Sequence, residues 1–118
     1  FIMRDLTSLG YYKRDIDMTN KGVFIVRAIV PEADRAAFDD WYQNEHLEEA
    51  KGLFNASKAW RGWSRVEPEV HIAFYEFGDI GSAVAIQESE ALKMLIGKFG
   101  DKWGDRVGRT REVLEVAV

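Results

Sequence analysis

The sequence predicts an α+β sandwich, a single four-stranded antiparallel sheet with helices on one face, and three observations predict it. Apolar residues recur at helical spacing in two long stretches, four other stretches carry the patterning of strands, and along the chain they run strand, helix, strand, strand, helix, strand. That βαββαβ order is the split arrangement of a ferredoxin-like fold.

Val23 to Val30 is apolar on both parities apart from Arg27, the pattern of a strand covered on both faces. Pro31 ends it, and Glu32-Ala33-Asp34 opens a helix expected over about residues 34 to 50, with Gly52 as its stop. Leu53 to Arg65 reads as a second strand carrying Trp60 and Trp63, with Gly62 marking a bulge or close approach. After a turn at Glu67-Pro68-Glu69, Val70 to Phe77 alternates Val70, Ile72 and Phe74 against His71, Ala73, Tyr75 and Phe77. Asp79 caps a short helix through Ala83 and Ile86; Ser89 starts a longer one bearing Leu92, Leu95, Phe99 and Trp103, which Gly97 and Gly100 weaken. Arg109 to Val118 closes the sheet, with Leu114, Val116 and Val118 on one parity and Arg109, Arg111 and Glu115 on the other. Residues 1–20 show no sustained period and read as an N-terminal extension to a domain spanning 21–118, whose core is expected to begin near Met18.

Composition bounds the function. The 118 residues, 47% hydrophobic, suit one domain with a sizeable core. A formal charge of -4 and no basic face argue against a nucleic-acid partner. No apolar run approaches a membrane span, and the absence of cysteine fits a reducing, cytoplasmic setting. Two histidines without metal-ligand spacing, no Gly-rich phosphate loop and no Gly-x-Ser-x-Gly elbow leave metal binding, nucleotide use and serine hydrolysis without support.

The chemical anomaly is Phe38-Asp39-Asp40-Trp41-Tyr42-Gln43-Asn44-Glu45-His46, where an aromatic helical stripe continues into ionisable groups. His46 is the candidate catalytic residue, since an imidazole near its ordinary pKa both accepts and donates a proton; the alternative is a helix-end His bonded to a carbonyl. Glu45 points about 100° away and is expected in solvent or in a salt bridge. Trp41 and Tyr42 share the stripe. His71 and Tyr75 lie on one face of the third strand, either as a pocket wall or as a dimer interface. Trp103 is a core anchor or a pocket wall, and Arg27, alone in an apolar strand, needs a ligand anion or an ion pair with the acidic helix.

The Phe38-x-x-Trp41-Tyr42-x-x-Glu45-His46-Leu47 run, the strand His71-Ile72-Ala73-Phe74-Tyr75-Glu76-Phe77 and the late helix ending at Trp103 together resemble the EthD-like branch of the dimeric α/β-barrel superfamily over residues 22 to 118. The resemblance implies two sheets meeting face to face in a homodimeric barrel, with a small-molecule pocket in each subunit between sheet and helices. It favours a pocket role for His46 and a cofactor-independent enzyme of monooxygenase, cyclase or isomerase type, acting on a small, apolar, oxygenated or aromatic compound. In that reading Tyr42, Trp41, His71, Tyr75, Trp103 and Arg27 contribute to substrate binding. A non-catalytic ligand-binding or stress-associated module is the alternative, and haem binding follows by analogy alone. The homodimer is expected on packing grounds too, because helices on one side bury only one parity of the first strand.

Overall fold

In the computed structural model of the chain, residues 19–117 are described, so the expected extension over residues 1–20, apart from Thr19 and Asn20, and the last residue, 118, lie outside the described residues. The sheet has the order β2-β3-β1-β4, every neighbouring pair antiparallel, with β1 at Gly22–Ile29, β2 at Lys58–Trp63, β3 at Val70–Phe77 and β4 at Gly108–Glu115. Helices α1 (Arg35–Trp41), α2 (Leu47–Phe54), α3 (Ile80–Ile86) and α4 (Glu90–Trp103) complete it. This is the ferredoxin-like α+β arrangement expected from the element order.

Pleating sorts the strand residues into two sets. Phe24, Val26 and Ala28 of β1 and Val30 just after it, with Ala73, Tyr75 and Phe77 of β3, face the helices and build the core together with Phe38, Tyr42, Leu95, Phe99 and Trp103. The helix-free face carries Val23, Ile25, Arg27 and Ile29 beside Ile72, Phe74, Trp60 and Leu114. Val23 and Ile25 are buried within the single chain, whereas Ile29 (58%), Leu114 (48%) and Trp60 (43%) are exposed, Trp60 stacked on Phe74 with ring centroids 5.2 Å apart.

The caps behave as their sequence suggests: Asp79 accepts from the Ser82 N–H at 2.8 Å and Ser89 from the Leu92 N–H at 3.1 Å. Helix α4 continues through both of its glycines to Trp103. Three expectations are corrected. Gly52 does not stop the second helix; Leu53 and Phe54 continue it, Phe54 entering the core, and Asn55 ends it in the left-handed region at φ 58°. Strand β2 therefore begins at Lys58, not Leu53. Gly62 makes neither a bulge nor a close approach, since it pairs in register with Ile72 and open space surrounds the position of a Cβ.

Gly22 is the glycine that packing requires. A Cβ there would stand 2.7 Å from Ala83 Cβ and 3.0 Å from the backbone of Ile80, where α3 crosses the start of β1. Gly22→Ala is expected to destabilise the fold by about 1–3 kcal/mol through overpacking. In a thermal melt that corresponds to a Tm lowered by roughly 5 °C or more, and an unchanged Tm would show that α3 shifts freely.

Candidate functional site

The helix expected over residues 34 to 50 is interrupted where the chemistry lies. Between α1 and α2 the five residues Tyr42–His46 form a π-helical turn, closed by the Leu47 N–H donating to the Tyr42 carbonyl five positions back. In a regular α-helix Trp41 and His46, five apart, would sit about 140° around the axis from each other. The wider turn brings them into register, and the rings stack with centroids 4.3 Å apart and planes 18° from parallel. Glu45 projects into solvent, as expected, and Glu49 pairs with Lys98 of α4.

His46 is buried with 6% exposure, and its Nδ1 has no hydrogen-bond partner, so no carbonyl holds it. Burial pulls its pKa down to about 4; Glu49 opposes the change, and Lys98 and Arg109 add to it. The ring meets Tyr42 edge-on at 4.8 Å. Tyr42 is the hub of the site: it also lies 4.4 Å from the ring of His71 and shares a hydrogen bond with Tyr75. That contact lowers the pKa of Tyr42 and raises that of Tyr75. Burial outweighs it and pushes Tyr42 up to about 12, so both phenols keep their protons at neutral pH.

Tyr42, His46 and Tyr75 line a cleft between the sheet and helices α2 and α4, with apolar walls that include Phe54, Leu95 and Phe99. The space water can occupy in it is about 30 Å³, room for one or two molecules, and it opens to solvent, with about 340 Å³ of non-protein space when the open mouth is counted. Arg109 and Arg111 of β4 complete the wall. Their charges are visible in the sequence, but alternation along an edge strand reads there as a solvated face, and only the helices packed over that face make it a cleft.

The structure brings six of the seven sequence candidates to one side of the sheet. His71 and Tyr75 are on the helix side, which removes the dimer-interface reading for both. His71 has 0% exposure and stands behind Tyr42, not on the cleft wall. Its Nε2 faces Arg61 Nη1 at 3.3 Å; a guanidinium only donates, so Nε2 accepts and the ring proton sits on Nδ1, which is buried and unpartnered. Desolvation, then the Arg61 charge, pulls the His71 pKa down to about 4. Arg61 also donates to Asp39 Oδ1 at 2.7 Å, which accepts from Trp63 Nε1 at 2.8 Å, and these bonds hold the Asp39 carboxyl below its ordinary pKa. Asp39 and Arg61 were not singled out, because their pairing spans 22 residues and no local pattern reports it. Trp41 and Trp103 pack against Phe38 and each other behind the cleft rather than lining it. Arg27 is corrected: it lies on the helix-free face, away from His46, and its ion-pair partner is Glu112 of the adjacent strand β4, not the acidic helix.

His71 is fully enclosed and faces Arg61, so of the two imidazoles only His46 borders the cleft. Among the described residues no cluster of three or more His, Asp or Glu could hold a metal ion, and no helix is long and apolar enough to cross a membrane.

No protein-family model matches the chain, and no curated protein matches it in sequence. Solved structures do match it in fold. A nipsnap family protein with unknown function from Agrobacterium tumefaciens aligns with a TM-score of 0.61 at 13% identity, over 84% of this chain and 90% of that one. An ethyl tert-butyl ether D (EthD) family protein from Bacillus halodurans gives 0.59 at 18% identity, over 81% and 99%. A Nitrosomonas europaea protein assigned provisionally as an antibiotic biosynthesis monooxygenase gives 0.57 at 14%, over 90% and 94%. The EthD resemblance read from the sequence thus holds at the level of fold.

The two buried imidazoles set a pH dependence of stability. Each takes up a proton near pH 6.5 when unfolded and near 4 when folded, so between those values the unfolded chain binds more protons and stability falls as pH falls. The stabilisation is complete above pH 6.5, and its loss on acidification is on the order of 2–3 kcal/mol for each ring. Denaturant melts should show a plateau above pH 6.5 and a decline toward pH 4, and His46→Gln and His71→Gln should each remove roughly half of that slope.

Proposed function

We propose that the chain is a small-molecule enzyme that moves a proton on a small oxygenated or aromatic compound without a cofactor, with His46 as the base. One observation carries this reading: a buried imidazole with an unpaired nitrogen stands beside two protonated phenols on the wall of a cleft between sheet and helices. His46 takes a proton from an acidic O–H or C–H of the substrate and later returns it, to the same or another atom. Tyr42, protonated at neutral pH and lining the cleft, donates its O–H to the substrate oxygen on which negative charge develops. His71, Arg61 and Asp39 hold the Tyr42 ring from behind. Returning the proton elsewhere gives isomerase or cyclase chemistry, and reaction of the substrate anion with dioxygen gives monooxygenase chemistry. Support for the latter comes from fold neighbours described as monooxygenases or as a possible oxidoreductase.

Deuterium wash-in at the acidic C–H of 1,3-dicarbonyl probes, followed by NMR, reads the proton transfer directly. His46→Gln, which keeps the side-chain volume, should slow it by about 10²–10⁴-fold. The rate of the intact enzyme should stay flat from pH 8 down to about 5, because the free imidazole protonates only near 4. Equal wash-in by the variant and the parent, or an acid limb near 6.5, would remove His46 from this role. Oxygen uptake without added cofactor separates the monooxygenase from the isomerase and cyclase readings; tight binding with no wash-in would instead mark a ligand-binding module.

The active form we propose is a two-fold homodimer joined through the helix-free sheet face, where exposed Ile29, Trp60 and Leu114 surround half-buried Ile72 and Phe74. A patch of this kind on an isolated chain favours burial against a second copy. Because Ile25 is already buried within one chain, the informative substitutions are at residues exposed in it. Ile29→Asp and Trp60→Asp should each yield a folded monomer by light-scattering chromatography, and dimers of unchanged stability in both would exclude this interface.

A further inference from the structure

The polar lining of the cleft is one-sided. Arg109 and Arg111, two residues apart on β4, present to it from the same face of the strand. Opposite them on β1 stand Ala28 and Val26, which offer no counter-charge. The contrast with other guanidiniums is direct: Arg27 pairs with Glu112, Arg61 with Asp39 and Arg106 with Asp34. Among the described residues no carboxylate pairs with Arg109 or Arg111. Nor does one line the cleft. Arg109 is half-buried over the ring of Phe99, its Cζ 3.9 Å from the ring centroid, while Arg111 is exposed. Burial lowers the pKa of both, and their mutual repulsion adds to this for Arg109.

We infer that the substrate of this cleft is a planar oxyanion, a carboxylate or ionised enol attached to a flat apolar body, clasped by Arg109 and Arg111. The inference rests on the cleft being the reaction site and adds the charge class of what enters it. A partly buried guanidinium without an anion is uncompensated, and an incoming oxyanion supplies the missing partner. The fork of a guanidinium matches two coplanar oxygens, and the contact with the Phe99 ring restrains Arg109 before the ligand arrives. Two forks a strand-repeat apart, roughly 6.6 Å, reach one such group from adjacent positions. The same charges answer a question of acidity: a neutral His46 is a weak base, and guanidiniums beside the substrate oxygen make the proton it removes more acidic.

The test compares 2-naphthoate with 2-naphthamide, its neutral analogue, by calorimetry and by NMR of the Tyr42 and His46 rings. Naphthoate should bind the parent protein roughly tenfold or more tightly than the amide at low salt, and the preference should shrink as salt is added. Arg111→Gln, at an exposed position with little bearing on folding, and Arg109→Gln should each weaken naphthoate by about tenfold and leave the amide unchanged; Arg109→Lys should recover only part of the loss. Equal binding of acid and amide, or naphthoate binding unaffected by both glutamine variants, overturns the anion assignment, while ring shifts with either ligand keep the cleft as the site. If neither ligand moves the Tyr42 or His46 resonances, the cleft reading fails and this inference with it.

Discussion

The wide helical turn at Tyr42–His46 is the constraint on which the site depends. One residue more than an α-turn holds is accommodated between Trp41 and Leu47, and the result is that residues five apart, not four, share a face. Trp41 and His46 stack, Tyr42 points inward to meet Tyr75 and His71, and Glu45 is turned out to solvent. With regular α geometry the imidazole would leave the indole face and its burial would be lost. The arrangement is costly, since it encloses an imidazole whose Nδ1 has no partner, and such a group loses the hydrogen bonds that water would give it. Stacking on Trp41 offsets part of that loss, and the large aromatic core around Phe38 and Phe99 supplies the rest of the stability.

Electrostatics divides the helix side of the sheet into two regions. At the β2 edge, Asp39 compensates Arg61, which fixes the tautomer of His71; every charge there has a partner, and the region is structural. At the cleft the lining charges are Arg109 and Arg111 of β4, with no carboxylate among the lining residues, and they face phenols and an imidazole held neutral by burial. A chain with a formal charge of -4 thus places a positive cleft over its core. The local sign and not the net charge decides which small molecules gain energy on entering, because at a separation of a few ångströms in a poorly solvated cleft the nearest charges dominate.

Much of this was legible in the sequence, for reasons that can be separated. Strand parity placed His71 with Tyr75 and Val70 with Ile72, because a period of two survives tertiary packing when one face is a core. Helical spacing found Trp41, Tyr42 and His46, although it joined them through a regular helix; a π turn has no local sequence signature, so the stack of Trp41 on His46 could not be read. Arg27 was expected to pair with the acidic helix, but Arg61, to which the sequence assigns no role, makes that pairing through Asp39, while Arg27 pairs with Glu112. Gly52 looked like a helix stop, which shifted the expected start of β2 to Leu53. Asn55 performs the stop instead, with a left-handed backbone that asparagine tolerates better than most residues. Arg109 and Arg111 were seen as a charged face without a function, because nothing along β4 says that α4 will lie over it.

The two faces of the sheet are not independent, and β4 is where they meet. It is an edge strand in the single chain, paired only with β1, so its position is held by one ladder of backbone bonds and by what packs on each side. On the helix side it carries the guanidiniums of the cleft; on the other it carries Glu112, which pairs with Arg27, and exposed Leu114. A second sheet laid over Ile29, Leu114 and Trp60 would press on the back of the strand whose front holds Arg109 and Arg111. Covering the helix-free face therefore does more than remove apolar surface from water: it stiffens the cleft wall from behind, and a guanidinium fixed in place before its anion arrives loses less conformational entropy on binding. The proposed pairing of two chains and the proposed anion site are in this sense one requirement placed on one strand, since alternation along β4 gives each face its own task while the backbone makes both tasks share a position.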